Sequence, residues 1–153
     1  MTRRKRIGYF ISINTDMIVW LIKKQVTIES SVFGAEFIAM KTGVEALRGI
    51  RYKLCMMGVP LTGPTYIYGD NMSVIYNSSQ PESTLKKKSN SICYHAVREA
   101  VASGECLTTH FKTGDNYSDM MTKVLYGQKK RDNVARILYD IWYHEDGPET
   151  TKG

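Results

Sequence analysis

Three carboxylates, Glu36, Asp70 and Asp119, stand where an α/β protein collects its chemistry. Asp70 closes the strand-like part of Pro64–Val74, PTYIYGDNMSV, where β-branched and aromatic residues follow a proline. A carboxylate at the carboxyl end of a central strand lies where sites in α/β sheets concentrate. An Asp in that place also suits the N-cap of the next helix. Glu36 falls in the second turn of a predicted helix, where the helix dipole favours negative charge. It sits at the edge of that helix's apolar stripe, where a carboxylate needs a partner or a metal. Asp119 opens a helix shortly after a strand, and its plain alternative is again a dipole role. Three carboxylates gathered at one sheet edge would repel unless cations neutralise them, and oxygen-only ligands suit Mg2+ or Mn2+. A pair of such ions about 4 Å apart serves in-line phosphodiester displacement.

The elements that must position these acids follow from periodicity. Ile7–Asn14 and Met17–Lys23 are short, apolar and β-rich around Thr15-Asp16, which predicts a hairpin. Lys23-Lys24-Gln25 ends its second strand in polar residues. From Ser30 or Ser31, either of which suits the N-cap, apolar residues recur every three or four positions. Phe33, Phe37, Met40, Val44, Leu47, Leu54 and Met57 mark a helix of about seven turns. Gly58 and Pro60 supply its stop. Gly34, Gly43 and Gly49 weaken it intrinsically and suit close packing against a sheet. After the Asp70 strand a helix follows through Met72, Ile75 and Tyr76. Asn77–Asn90 reads as a polar loop with Lys86, Lys87 and Lys88 at its tip. Ile92–Ala102 is helical, Gly104 stops it, and Cys106–Phe111 is a strand. Tyr117–Tyr126 and Lys129–Tyr143 are predicted helices, the last strongly basic in its first half.

Composition narrows the classes. The 153 residues, 42% of them hydrophobic, are enough for one sizeable core. We read residues 1–144 as one domain and 145–153 as a polar tail. The formal charge of +6 fits a polyanionic partner. Three scattered cysteines, Cys55, Cys93 and Cys106, without a CxxC pair argue for reduced, buried thiols rather than a disulfide framework. His95, His110 and His144 form no zinc pattern. The longest apolar runs fall short of about 18 residues, so no membrane span is expected, and the amino terminus is a poor signal peptide.

Taken together, the motifs resemble those of the ribonuclease H domain at the carboxyl end of copia-type retrotransposon polyproteins. Lys23-Lys24-Gln25 is followed by SSVFGAEFIA (Ser30–Ala39), which resembles the family's SSTEAEYIA. IYGDNMSV (Ile67–Val74) resembles YCDNQSA, and LKKKSNSICYHAVRE (Leu85–Glu99) resembles K-H-I-(x)n-Y-H-x-x-R-E. DNYSDMMTK (Asp115–Lys123) resembles N-P-A-D-x-x-T-K. The resemblance implies an α/β fold, a ribonuclease H-like mixed five-stranded sheet flanked by helices. It implies carboxylates holding two Mg2+ or Mn2+ ions that cut the RNA strand of an RNA–DNA hybrid, with Glu36, Asp70 and Asp119 as catalytic and metal residues. Asn71, Ser73, Lys86, Lys87 and Lys88 are the candidate contacts to nucleic acid. The family's first aspartate lies on a strand before the segment matched by Arg4–Tyr9, so that first strand is expected to be missing here, with metal binding weakened. The implied partners are the hybrid and the upstream reverse transcriptase portion of the polyprotein, in a cytoplasmic virus-like particle or the nucleus. The second reading is a non-catalytic basic remnant that binds nucleic acid through Lys86–Lys88 and Lys129–Arg131.

Overall fold

Apolar residues at alternate positions make the strands, and at every third or fourth position the helices. The computed structural model describes residues 6–14, 16–25, 31–83, 91–112, 118, 122 and 127–139. The structure is α/β. In chain order the elements are β1 (Arg6–Ile13), β2 (Asp16–Lys24), α1 (Val32–Met56), β3 (Thr65–Gly69), α2 (Met72–Ser79), α3 (Ser91–Ala102), β4 (Cys106–His110) and α4 (Gly127–Tyr139). They fall into two compact units, one with α1, β3, α2, α3 and β4, the other with most of β1 and β2 and with α4.

In the second unit, β1 and β2 pair. Two residues join them, a link short enough only for antiparallel strands. Asn14, at φ 55, supplies the left-handed turn residue, a conformation Asn adopts more readily than most. Along β2, half-buried Met17, Val19 and Leu21 alternate with exposed Ile18, Trp20 and Ile22. On α4, exposed Lys129, Lys130 and Arg131 form a basic first half, and Gln128 Nε2 donates to Asp132 Oδ1 at 2.6 Å.

The first unit is organised by α1. Ser31 is its N-cap, its Oγ accepting from Gly34 N at 3.0 Å. Phe37, Met40, Val44 and Leu47 are buried on one stripe and pack with Val74, Ile75, Tyr94, Val97, Ala100 and Cys106. Gly58 ends the helix at φ +78, with its N–H on Cys55 O and that of Val59 on Leu54 O, both at 3.0 Å. The first unit's sheet is a parallel pair running from Thr65↔Cys106 to Gly69↔His110. Its inner face carries Ile67 against the core, and its outer face exposes Tyr66 and Tyr68.

Contacts at each end of β3 set the direction of α1. A Cβ at Gly69 would lie 3.4 Å from Met40 Cε, whereas Arg51 Nη1 donates to Gly63 O at 3.0 Å and Thr65 Oγ1 at 2.9 Å. The helix therefore runs antiparallel to β3, about 16 Å of helix beside about 13 Å of strand. Arg48 fixes the same end, its Nε donating to Glu105 Oε2 at 2.6 Å, while Glu105 O accepts from Thr65 N.

Several expectations change. Asn77–Ser79 belong to α2 rather than to a loop, because Asn77 Nδ2, Ser78 Oγ and Ser79 Oγ bond back to Ser73 O, Ile75 O and Ile75 O. Those bonds absorb polar side chains that otherwise favour turns. Gly43 and Gly49 do not serve close packing, since a Cβ at either would meet nothing within 4 Å. Met57 is exposed because α1 outruns the short strands, and of the cysteines Cys106 alone is buried while Cys55 is exposed. Among the described residues the strands form two separate two-stranded sheets rather than one of five. The helix expected over Tyr117–Tyr126 lies largely outside the described residues, as do Lys86–Lys88 and the tail.

Two stability predictions follow from this packing. Phe37 has no exposed surface, so Phe37→Ala should cost about 3–5 kcal/mol in urea unfolding. Met57→Ala, at a residue 75% exposed, should stay within about 0.5 kcal/mol. The hydrogen bond from Arg48 holds the Glu105 carboxyl below its ordinary value of 4.5. A depressed carboxylate stabilises the fold above that value, and the contribution is lost as pH falls through the folded one. Arg48→Met should therefore lower stability at neutral pH, with the difference from the parent chain closing under acid, as read by melting across pH.

Candidate functional site

The carboxyl edge of the β3–β4 pair collects the groups that could do chemistry. Asp70 follows Gly69 directly and is half-buried. Its neighbour Asn71 is the N-cap of α2, with Oδ1 accepting from Ser73 N at 3.1 Å and Val74 N at 3.4 Å. The cap role open to Asp70 in sequence is thus taken by Asn71. Among the described residues none donates a hydrogen bond to the Asp70 carboxylate.

Glu36 reaches the same edge from α1. It lies one turn before Met40, on the same helix face and about 6 Å further along the axis. Because α1 runs antiparallel to β3, that turn carries Glu36 past Gly69 towards the end of the strand where Asp70 stands. Glu36 is half-buried there. His110 ends β4 opposite Gly69, and Phe111 N prolongs the pairing by donating to Gly69 O at 2.9 Å. By this register Glu36 lies on the part of α1 towards the carboxyl end of β3, and Asp70 directly follows that strand. Asp119 lies outside the described residues, and among the described residues no group of three or more His, Cys, Asp or Glu could hold a metal. Ser73 is exposed in the first turn of α2, beside Asn71.

One polar residue at this end is buried although sequence named it only as part of the Lys23-Lys24-Gln25 motif at a strand end. Gln25, read as the polar end of a strand, is 2% exposed, and its Nε2 donates to Ala35 O at 3.0 Å. A glutamine after two lysines carries no periodic signal of burial. Buried Tyr94 and half-buried Arg98 hold the stretch after α2. The Tyr94 hydroxyl donates to Ser83 O at 2.6 Å, and Arg98 bonds Ser83 O and Pro81 O at 3.0 and 2.8 Å. This gives a structural role to the Tyr and Arg of the YHAVRE stretch.

The chain is 31% identical over 118 residues to the retrovirus-related Pol polyprotein from transposon RE1 of Arabidopsis thaliana, covering 77% of this chain and 8% of the polyprotein. Its homologues are retrovirus-related Pol polyproteins from plant transposons. The polyprotein of transposon RE2 of the same plant is 30% identical over the same shares. That of transposon TNT 1-94 of Nicotiana tabacum is 30% identical over 80% of this chain and 9% of its own length. The chain thus spans less than a tenth of the Pol polyproteins it matches. No family model matches the chain, and no solved structure matches it significantly. Among the described residues no helix is long and apolar enough to cross a membrane.

The cap assignment is directly testable. Asn71→Ala should lower stability by about 0.5–2 kcal/mol, and Asn71→Asp should retain most of it, as measured by thermal melting.

Proposed function

We propose that this retrotransposon-derived chain is the ribonuclease H-like part of a copia-type polyprotein, which hydrolyses the RNA strand of RNA–DNA hybrids during reverse transcription. The observation that carries the reading is that Asn71, not Asp70, caps α2, with Asp70 at the end of β3 and Glu36 one helical turn from the Met40 that packs beside Gly69. The donor set is two carboxylates, hard oxygen ligands that fit Mg2+ or Mn2+. Asp70 and Glu36 would hold the ions, with Asp119 as a third ligand from the chain that follows β4. When bound, such ions supply an activated water and neutralise charge on the leaving 3′ oxygen.

The protein's own part is to place carboxylates and polynucleotide against each other. Asn71 commits Oδ1 to the cap and keeps Nδ2 as a donor, and Ser73 keeps an exposed hydroxyl beside it. Both suit 2′-hydroxyl or phosphate groups of a strand laid across the edge. Lys86, Lys87 and Lys88, and the exposed basic half of α4, supply charge for the backbone.

The test is cleavage of a labelled RNA–DNA hybrid in Mg2+ and in Mn2+. Asp70→Asn and Glu36→Gln should each reduce cleavage by more than about 100-fold, beyond the loss usual for outer partners of a metal ligand. Hybrid binding that weakens with salt, without any cleavage and unchanged in Asp70→Asn, would replace this reading with that of a basic binding remnant.

A further inference from the structure

We propose that Gln25 is a positioning residue for Glu36, an inference that rests on the carboxylate reading above. Gln25 leaves the end of β2 and is buried against the first turn of α1. Its Nε2 donates to the carbonyl of Ala35, the residue next to Glu36. The same turn is held from its other side by Ser31, whose Oγ accepts from Gly34 N and whose carbonyl accepts from Ala35 N at 3.2 Å. A helix end held by its cap alone frays within its first turn. A second tether from a residue ten positions earlier fixes the rotation of that turn, and with it the departure of the Cα–Cβ bond of Glu36.

The other half of the amide shows that stability alone does not explain the residue. Gln25 Oε1 is buried and has no hydrogen-bond partner among the described residues. A buried acceptor without a donor is costly, and an apolar side chain of the same shape would avoid that cost. The carbonyl of Ala35 lies within α1, where the helix already offers it a backbone donor, so the tether adds little net stability. A side chain that yields no net stability, buried beside a half-buried acid, is the local conflict expected where placement serves a site.

The experiment uses the full chain and its Gln25→Met and Glu36→Gln variants. Three quantities are measured: Mn2+ binding by the electron paramagnetic resonance of the free ion, the melting temperature, and amide hydrogen exchange over residues 35–39. Gln25→Met should weaken Mn2+ binding about tenfold, as loss of an outer partner does. It should speed exchange in the first turn of α1 and leave the melting temperature unchanged or raised. A lower melting temperature with Mn2+ binding unchanged would make Gln25 an ordinary core residue and overturn the inference. If Glu36→Gln weakens Mn2+ binding and Gln25→Met does not, the inference alone falls. If Glu36→Gln changes nothing, or the parent chain binds no Mn2+, the carboxylate reading falls and takes the inference with it.

Discussion

The absence of a side chain at Gly69 is the constraint on which the first unit depends. A Cβ there would lie 3.2 Å from Ile75 Cδ1, closer than most packed contacts, and at ordinary contact distance, 3.4 Å, from Met40 Cε. Helices α1 and α2 both close over the end of β3 because that end is bare backbone, the use glycine has where elements approach closely. A bulkier residue there would first have to turn the Ile75 and Met40 side-chain ends aside.

The opposite end of the strand is held by different forces. Arg48 and Arg51 fasten α1 to Glu105, Gly63 and Thr65 through charge-assisted and carbonyl bonds, which are stronger than neutral ones. Apolar closure at one end and ionic fastening at the other fix how far the helix slides along the strand. Arg48 and Arg51 thus act about a strand's length from Asp70.

Much of this arrangement was legible in the residues. The stripe from Phe37 to Leu47, the Ser31 cap, Gly58 and Gly104 each follow local rules, and the structure agrees with them. The strand Thr65–Gly69 was clear because its alternation is framed by a proline and by Asp70-Asn71. What was not legible depends on tertiary context. Asp and Asn are equally good caps, so sequence could not say which of residues 70 and 71 would take that role. Asn77–Ser79 looked like a loop because polar residues favour turns, and only their bonds back along the helix reveal otherwise. Gly43 and Gly49 suggested a tight interface that α1 does not have. Gln25 was visible as part of the Lys23-Lys24-Gln25 motif, but its burial was not, since a single amide beside two lysines leaves no period to detect.

The three cysteines make the unit its own clock. Cys55 is exposed near the end of α1, while Cys106 begins β4 at the centre of the core, where burial pushes its thiol up. A thiol reagent would mark the first in every molecule at once. It would reach the second only when the parallel pair parts from its helices, and then slowly, since the thiolate is the reactive form. The lag between the two labels reports how rarely the closed sheet opens, in the same chain without a dye or a mutation.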